Sequence, residues 1–215
     1  MSVEALLPRS GRSIEETISG LLMALMDSGV VDAMLVPMEV PSGQNVTQAL
    51  IKDKAKVAKA GPVSPVMPVN SATVVSNLTV EDVPGRIGVV LRSCEIRALV
   101  ELVKLKQASL EKLVVIGIDC PGSYTVADYA TVAGTLEGDA PKAHRFMEQS
   151  LQGDALSRDG ITLRQACRVC ERPMPEFGDI RIGFFGMVSG DSLAVELSDE
   201  IAAVGLDKLG LVEGK

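Results

Sequence analysis

Four cysteines are the residues best able to do chemistry in this 215-residue chain: Cys94, Cys120, Cys167 and Cys170. The last two form a C-x2-C pair, a spacing that lets two thiolates converge on one metal centre. Arg164, Arg168 and Arg172 surround the pair, which favours thiolates and partly offsets the charge of an anionic cluster. Pro121, Pro173 and Pro175 follow the cysteines and stiffen their loops, as proline does beside a cluster cysteine in ferredoxin-type runs. Several readings compete. One 4Fe–4S cluster held by all four thiols needs no second motif, and the count is right. A structural zinc site is the plainer metal reading, although zinc ligands usually come as two compact knuckles and here two stand alone. A thioredoxin-type pair belongs at a strand-to-helix turn, whereas this pair comes late, after a helical stretch. Disulfides do not suit a cytoplasmic chain. Cys94 and Cys120 also read simply as small buried apolar residues.

Other candidate residues carry less. His144 is the single histidine; it lies on a polar helical stretch and reads as an exposed bystander, so a His-based triad has no support. Ser189-Gly190-Asp191-Ser192 and the glycines from Gly183 onward complete neither a G-x-G-x-x-G fingerprint nor a P-loop, and read as a turn. The early methionines Met23, Met26, Met34 and Met38 read as core filling or as a partner-facing surface.

The elements that must position the cysteines follow from periodicity. Ser13 and Glu16 fit a capping box. Ile14, Ile18, Leu21, Leu22 and Leu25 then repeat at helical spacing, and Gly29 suits the position that ends the helix. Val30 to Pro37 is nearly all apolar, as a strand covered on both faces reads. A short polar helix is expected within Lys52 to Lys59. Pro62, Pro65 and Pro68 exclude regular helix from Gly61 to Asn70, which is an ordered loop or a linker. Arg86 to Leu91 and Lys112 to Ile118 read as buried strands, joined by an amphipathic helix over Glu95 to Leu105. A strand, a helix of that length and a strand argue for a parallel pair with a right-handed crossover. Cys94 and Cys120 lie just past the carboxyl ends of those strands, where ligands sit in open α/β sheets. Periodicity weakens from Pro121 to Cys170, with one modest helix around Pro141 to Leu151. Asp179 to Phe185 is a further strand and Asp199 to Leu206 a short helix.

Composition narrows the function classes. Hydrophobic residues at 47% and charged residues at 23% are globular values and exclude disorder as the main state. Aromatics are 3% with no Trp, which argues against a stacking platform for single-stranded nucleic acid. A net charge of -7 without a basic run argues against a phosphate-backbone partner. Mean hydropathy is high at +0.26, yet no apolar stretch reaches the roughly 20 residues of a membrane span. Met1-Ser2-Val3-Glu4 lacks a signal peptide's basic start. A cytoplasmic protein is expected, with some apolar surface facing a partner subunit.

Three segments carry a resemblance. Arg92-Ser93-Cys94-Glu95-Ile96-Arg97-Ala98-Leu99 resembles the P-C-E-I-R-A-L signature of the coenzyme F(420) hydrogenase/dehydrogenase beta-subunit family. Gly117-Ile118-Asp119-Cys120-Pro121-Gly122-Ser123-Tyr124 is similar to its G-I-x-C-x-G-T segment. Cys167-Arg168-Val169-Cys170, followed by Gly178-Asp179-Ile180-Arg181-Ile182-Gly183, is similar to its C-x-x-C … A-D-I-x-x-G segment. The stretch Val63 to Ala72 is similar to the one preceding the family's first cysteine, and the likeness runs in order from about Ile14 to Gly186. It departs at the first helix, where the family's glycine-rich start reads Thr17 to Leu25 here.

The resemblance implies an iron–sulfur flavoprotein subunit, an oxidoreductase component of F(420)-reducing hydrogenase, formate dehydrogenase or heterodisulfide-reductase-like complexes. Its cluster ligands carry over onto Cys94, Cys120, Cys167 and Cys170. FAD is expected beside the cluster, with a larger redox subunit as partner and coenzyme F(420) or ferredoxin as carrier. Loops at the carboxyl ends of strands supply donors for such a cofactor, which selects Asn70, Ser71, Arg92, Ser93, Arg97, Gly122, Ser123 and Tyr124. Arg92 and Arg97 are the cations expected on the pyrophosphate. Glu95 and Arg97 flank Cys94 at a helix start, either simply solvated or placed for an anionic group. The alternative function, from another class, is a non-redox zinc-binding interaction module. The expected fold is α/β, a mainly parallel sheet with helices on both faces. It forms a single domain over 1–215, with a loop-rich, cysteine-bearing insertion forming a cluster-binding lobe at roughly 119–180.

Overall fold

The computed structural model describes residues 2–80, 84–135, 160–187 and 190–214. His144 and the helix expected around Pro141 to Leu151 lie outside the described residues.

The first helix, α1 (Ile14–Asp27), starts as its capping box dictates. Ser13 Oγ accepts from the Glu16 amide at 3.1 Å, and the Glu16 carboxylate accepts from the Ser13 amide at 2.9 Å. Gly29 ends it, with φ +72°. The strands are β1 (Ser2–Pro8), β2 (Ala33–Glu39), β3 (Val46–Ile51), β4 (Ile87–Arg92), β5 (Leu113–Ile118), β6 (Ile180–Gly183), β7 (Ser192–Ser198) and β8 (Val212–Glu213). The remaining helices are α2 (Lys54–Val57), α3 (Ser71–Leu78), α4 (Ser93–Lys104), α5 (Val126–Gly134), α6 (Gln165–Arg168) and α7 (Asp199–Ala202), with a 3-10 turn at Asp207–Leu209.

All strands join one sheet in the order β3-β2-β4-β5-β6-β7-β1-β8. The expected crossover is present: β4 and β5 pair in parallel from Ile87↔Leu113 to Arg92↔Ile118. Parallel pairing extends to β2 on one side and β6 on the other. The expected α/β fold is present, and its sheet is mixed around that parallel centre. β3 adds antiparallel to β2, and β7, β1 and β8 continue antiparallel beyond β6. β1 and β7 carry a weak signal in the sequence because they bury alternate residues only. Leu193, Val195 and Leu197 point inward along β7 while Ala194 and Glu196 do not.

β4 and β5 are buried at every position, as strands covered on both faces must be. Val90, Val114 and Ile116 join a core under α1, α2 and α5, whereas Val89, Leu91 and Val115 join a second core under α3 and α4. The proline-rich stretch is no linker. Residues 61–66 are buried and cross the carboxyl ends of the strands as a strap. Gly61 N donates to Pro37 O at 2.8 Å, and Tyr124 N donates to Pro65 O at 2.8 Å.

Candidate functional site

The carboxyl ends of β4 and β5 open into a cleft of about 580 Å³. Cys94 sits in the first turn of α4, immediately after β4, and Cys120 two residues after β5. Cys167 lies within α6 and Cys170 just past it. All four thiols line this cleft. Two backbone contacts dock the α6 segment onto the strand ends: Cys120 N donates to Pro173 O, and Arg164 N donates to Ser123 O, both at 2.9 Å. Arg164 Nη2 also donates to Met67 O at 3.1 Å, joining the segment to the strap's far end.

Gly122 allows the close packing. Its φ is +111°, and a Cβ there would lie 2.5 Å from Leu163 Cδ1, so a side chain at this turn meets both strain and overlap. Asp119 fixes the β5 end against β6. One carboxylate oxygen accepts from the Phe184 and Phe185 amides at 2.9 and 3.0 Å. Burial holds its carboxyl above the usual range, and those two donors pull it back.

The described charges lining the cleft are Arg97, Arg164 and Arg172, with no acid among them, although the chain is net negative. α4 presents its N-terminal end to the cleft, adding the positive end of its dipole. Burial, then the Glu95 carboxylate and the Cys120 thiol, push the Cys94 thiol up to about 11. Burial likewise raises Cys120, against the pull of the Arg92 guanidinium. Both are therefore protonated thiols near neutrality, and a metal that binds them must displace those protons. Among the described residues no three His, Cys, Asp or Glu side chains are gathered as a single-ion site. The donor set fits a larger sulfur-bridged group in kind: four thiols in cationic surroundings.

The other residues selected from sequence divide. Asn70, Ser93, Arg97 and Gly122 line the cleft. Ser71, Ser123 and Tyr124 are buried and line no part of it. Arg92 is also buried, and its guanidinium turns to the strap, where Nη2 donates to Ser64 O and Val66 O. Glu95 is not solvated. Its carboxylate accepts from the Arg92 amide at 2.9 Å, from the Ser71 amide at 2.9 Å and from the Ser71 hydroxyl. Met67 and Phe185 also line the cleft and were missed; neither has a spacing or charge that marks it in the sequence.

No helix among the described residues is long and apolar enough to cross a membrane. A sequence model of the family described as the C terminus of the coenzyme F(420) hydrogenase/dehydrogenase beta subunit matches residues 85–205, more than half of the chain and all four cysteines. Among solved structures, a chain of the F(420)-reducing nickel–iron hydrogenase complex from Methanosarcina barkeri, studied by xenon derivatization, superposes with a TM-score of 0.63. The match covers 94% of this chain and 76% of that one at 14% identity, a likeness of fold.

Proposed function

The chain belongs to the coenzyme F(420) hydrogenase/dehydrogenase beta-subunit family, and on that premise we propose that it relays electrons in a hydrogenase- or dehydrogenase-type complex through one 4Fe–4S cluster beside FAD. The observation that most supports this reading is the meeting of the chain's four cysteines along one cleft whose described charges are all cationic.

When bound, these groups supply one-electron storage and the exchange between one- and two-electron chemistry. The chain's residues do the rest. Cys94, Cys120, Cys167 and Cys170 hold the cluster as thiolates. Arg97, Arg164 and Arg172 offset its negative charge, which together with amides near sulfur sets its potential. Asn70, Ser93 and Gly122 offer polar and backbone groups to the flavin from the cleft wall. Arg97 is the cation for its phosphates, because a guanidinium fork matches phosphate oxygens and Arg92 is committed to the strap. Val169, Met174 and Phe177 are exposed on the cysteine segment, and apolar surface there supports docking of a larger redox subunit. The carrier in this reading is coenzyme F(420), ferredoxin or a similar molecule.

Anaerobic purification followed by iron, acid-labile sulfide and flavin analysis tests the reading. The expected protein is brown, with four irons per chain for a single cubane and releasable flavin. A colourless, zinc-loaded protein overturns it. An intact cluster with no flavin uptake leaves a cluster-only relay, and the F(420)-linked role falls.

A further inference from the structure

The four thiols do not sit alike in their cleft. Cys94, Cys120 and Cys167 are half-buried, whereas Cys170 is exposed. The difference follows from what holds each one. Cys94 is fixed in the first turn of α4, Cys120 is docked by its amide bond to Pro173 O at 2.9 Å, and Cys167 lies within α6. Cys170 comes after α6 has ended, and its amide reaches back to Cys167 O at 3.3 Å. The three inner thiols lie close enough to act on one another's charge. Cys120 and Cys167 both act on Cys94, and Cys167 acts on Cys120. Cys170 acts on neither Cys94 nor Cys120.

The surroundings are equally lopsided. Beside Cys94 and Cys120 stand the buried Ser93, Glu95, Ile118 and Asp119. Beside Cys170 the side chains are open: Val169 is 73% exposed and Met174, on the same segment, 56%. A group that bridges all four thiols therefore turns three corners toward the protein and one toward solvent. Electron transfer slows steeply with distance, so the outermost corner is the shortest route to a carrier. Exposure also decides which thiolate an oxidant or an alkylating reagent reaches first.

Resting on the cluster reading above, we propose that Cys170 holds the cluster's outward corner, and that this corner is both the port through which electrons pass and the first to open under oxidation. Cys94, Cys120 and Cys167 are the anchoring thiolates. In that opening, [4Fe–4S]2+ gives one electron to the oxidant and one Fe2+ to solution. The remaining [3Fe–4S]+ stays on the three inner thiolates, and the Cys170 thiolate is set free. A carrier or subunit seated over Val169 and Met174 covers this corner, so the contact that passes electrons also shields the site from oxidants.

The test uses the anaerobically purified full-length chain in two arms. In the first, ferricyanide is the one-electron oxidant and iodoacetamide the trap for the freed thiolate. A three-iron electron paramagnetic resonance signal is expected, with the label on Cys170 by peptide mass spectrometry and the other three cysteines unlabelled. A label on Cys94, Cys120 or Cys167 in its place, or all four labelled with no three-iron stage, overturns the proposal. In the second arm, stopped flow at low ionic strength reads reduction by the anionic radical of dithionite and by the cationic methyl viologen radical. Val169→Glu is expected to slow the first and speed the second, each about threefold, the effect of one unit charge at roughly 7 Å in water. A change in potential alone would move both rates the same way. Val169→Lys is expected to reverse both signs, and serves if the glutamate variant does not fold. Leu105→Glu, at the far end of α4 about 18 Å away, is expected to move neither. Rates that stay equal or shift together in the Val169 variants overturn the port. Iron and sulfide analysis separates the two readings: a chain without a cluster overturns both, and a cluster that opens elsewhere overturns this one alone.

Discussion

The Glu15 carboxyl and the Arg92 guanidinium feel each other's charge beneath the strap, and each keeps one buried polar atom without a hydrogen-bond partner. Glu15 receives one long bond, from the Val63 amide at 3.4 Å. Burial outweighs that bond and the attraction of Arg92, and pushes its pKa up to about 8.

A pH dependence of stability follows from Glu15. Below the ordinary carboxylate pKa both folded and unfolded chains hold the proton. Between that value and about 8 the unfolded chain releases it and the folded chain retains it, so stability falls as pH rises. Above about 8 the loss is complete. Glu15→Gln is expected to flatten this slope and to stabilise the protein at pH 8 by roughly 2–4 kcal/mol. Urea unfolding of both proteins at pH 5 and pH 8 reads it; a wild-type midpoint that does not move shows the carboxyl to be ordinary.

Asp119 is expected to hold the β5 end through its two amide donors. Asp119→Ala leaves the buried Phe184 amide without an acceptor and costs about 2 kcal/mol. Asp119→Asn retains an acceptor oxygen and should lose less. Equal stabilities for the two variants would falsify this account of the carboxylate.

Gly122→Ala is expected to destabilise by roughly 1–3 kcal/mol, through positive-φ strain and the overlap with Leu163. Leu163→Ala should recover the overlap part, so a double-mutant cycle gives a favourable coupling. Strictly additive losses would place the whole effect in the backbone.

Each of the four cysteines is expected to be required for the cluster, because the chain holds no spare thiol. Cys94→Ala, Cys120→Ala, Cys167→Ala and Cys170→Ala should each lose or degrade bound iron and sulfide while retaining secondary structure by circular dichroism. Full iron and sulfide content in any one of them removes that residue from the ligand set.

The parallel centre of the fold was legible because β4 and β5 are buried on both faces and so read as unbroken apolar runs. The antiparallel half was less so. In β1 and β7 only every second residue faces the core, as in Val3-Glu4-Ala5 and Leu193-Ala194-Val195, a weak signal in short strands. The cysteines announced themselves by type and spacing. The destinations of Arg92 and Glu95 did not, because they depend on a strap that crosses the strand ends from elsewhere in the chain.

The two backbone bonds that dock the α6 segment, at Cys120 and at Ser123, close a loop whose ends meet before any metal is considered. The first part of the connection between them is anchored as well, since Tyr129 and Val132 of α5 lie in the core. The approach of the cysteine segment to the strand ends is thus set at the base of that connection by ordinary backbone bonds.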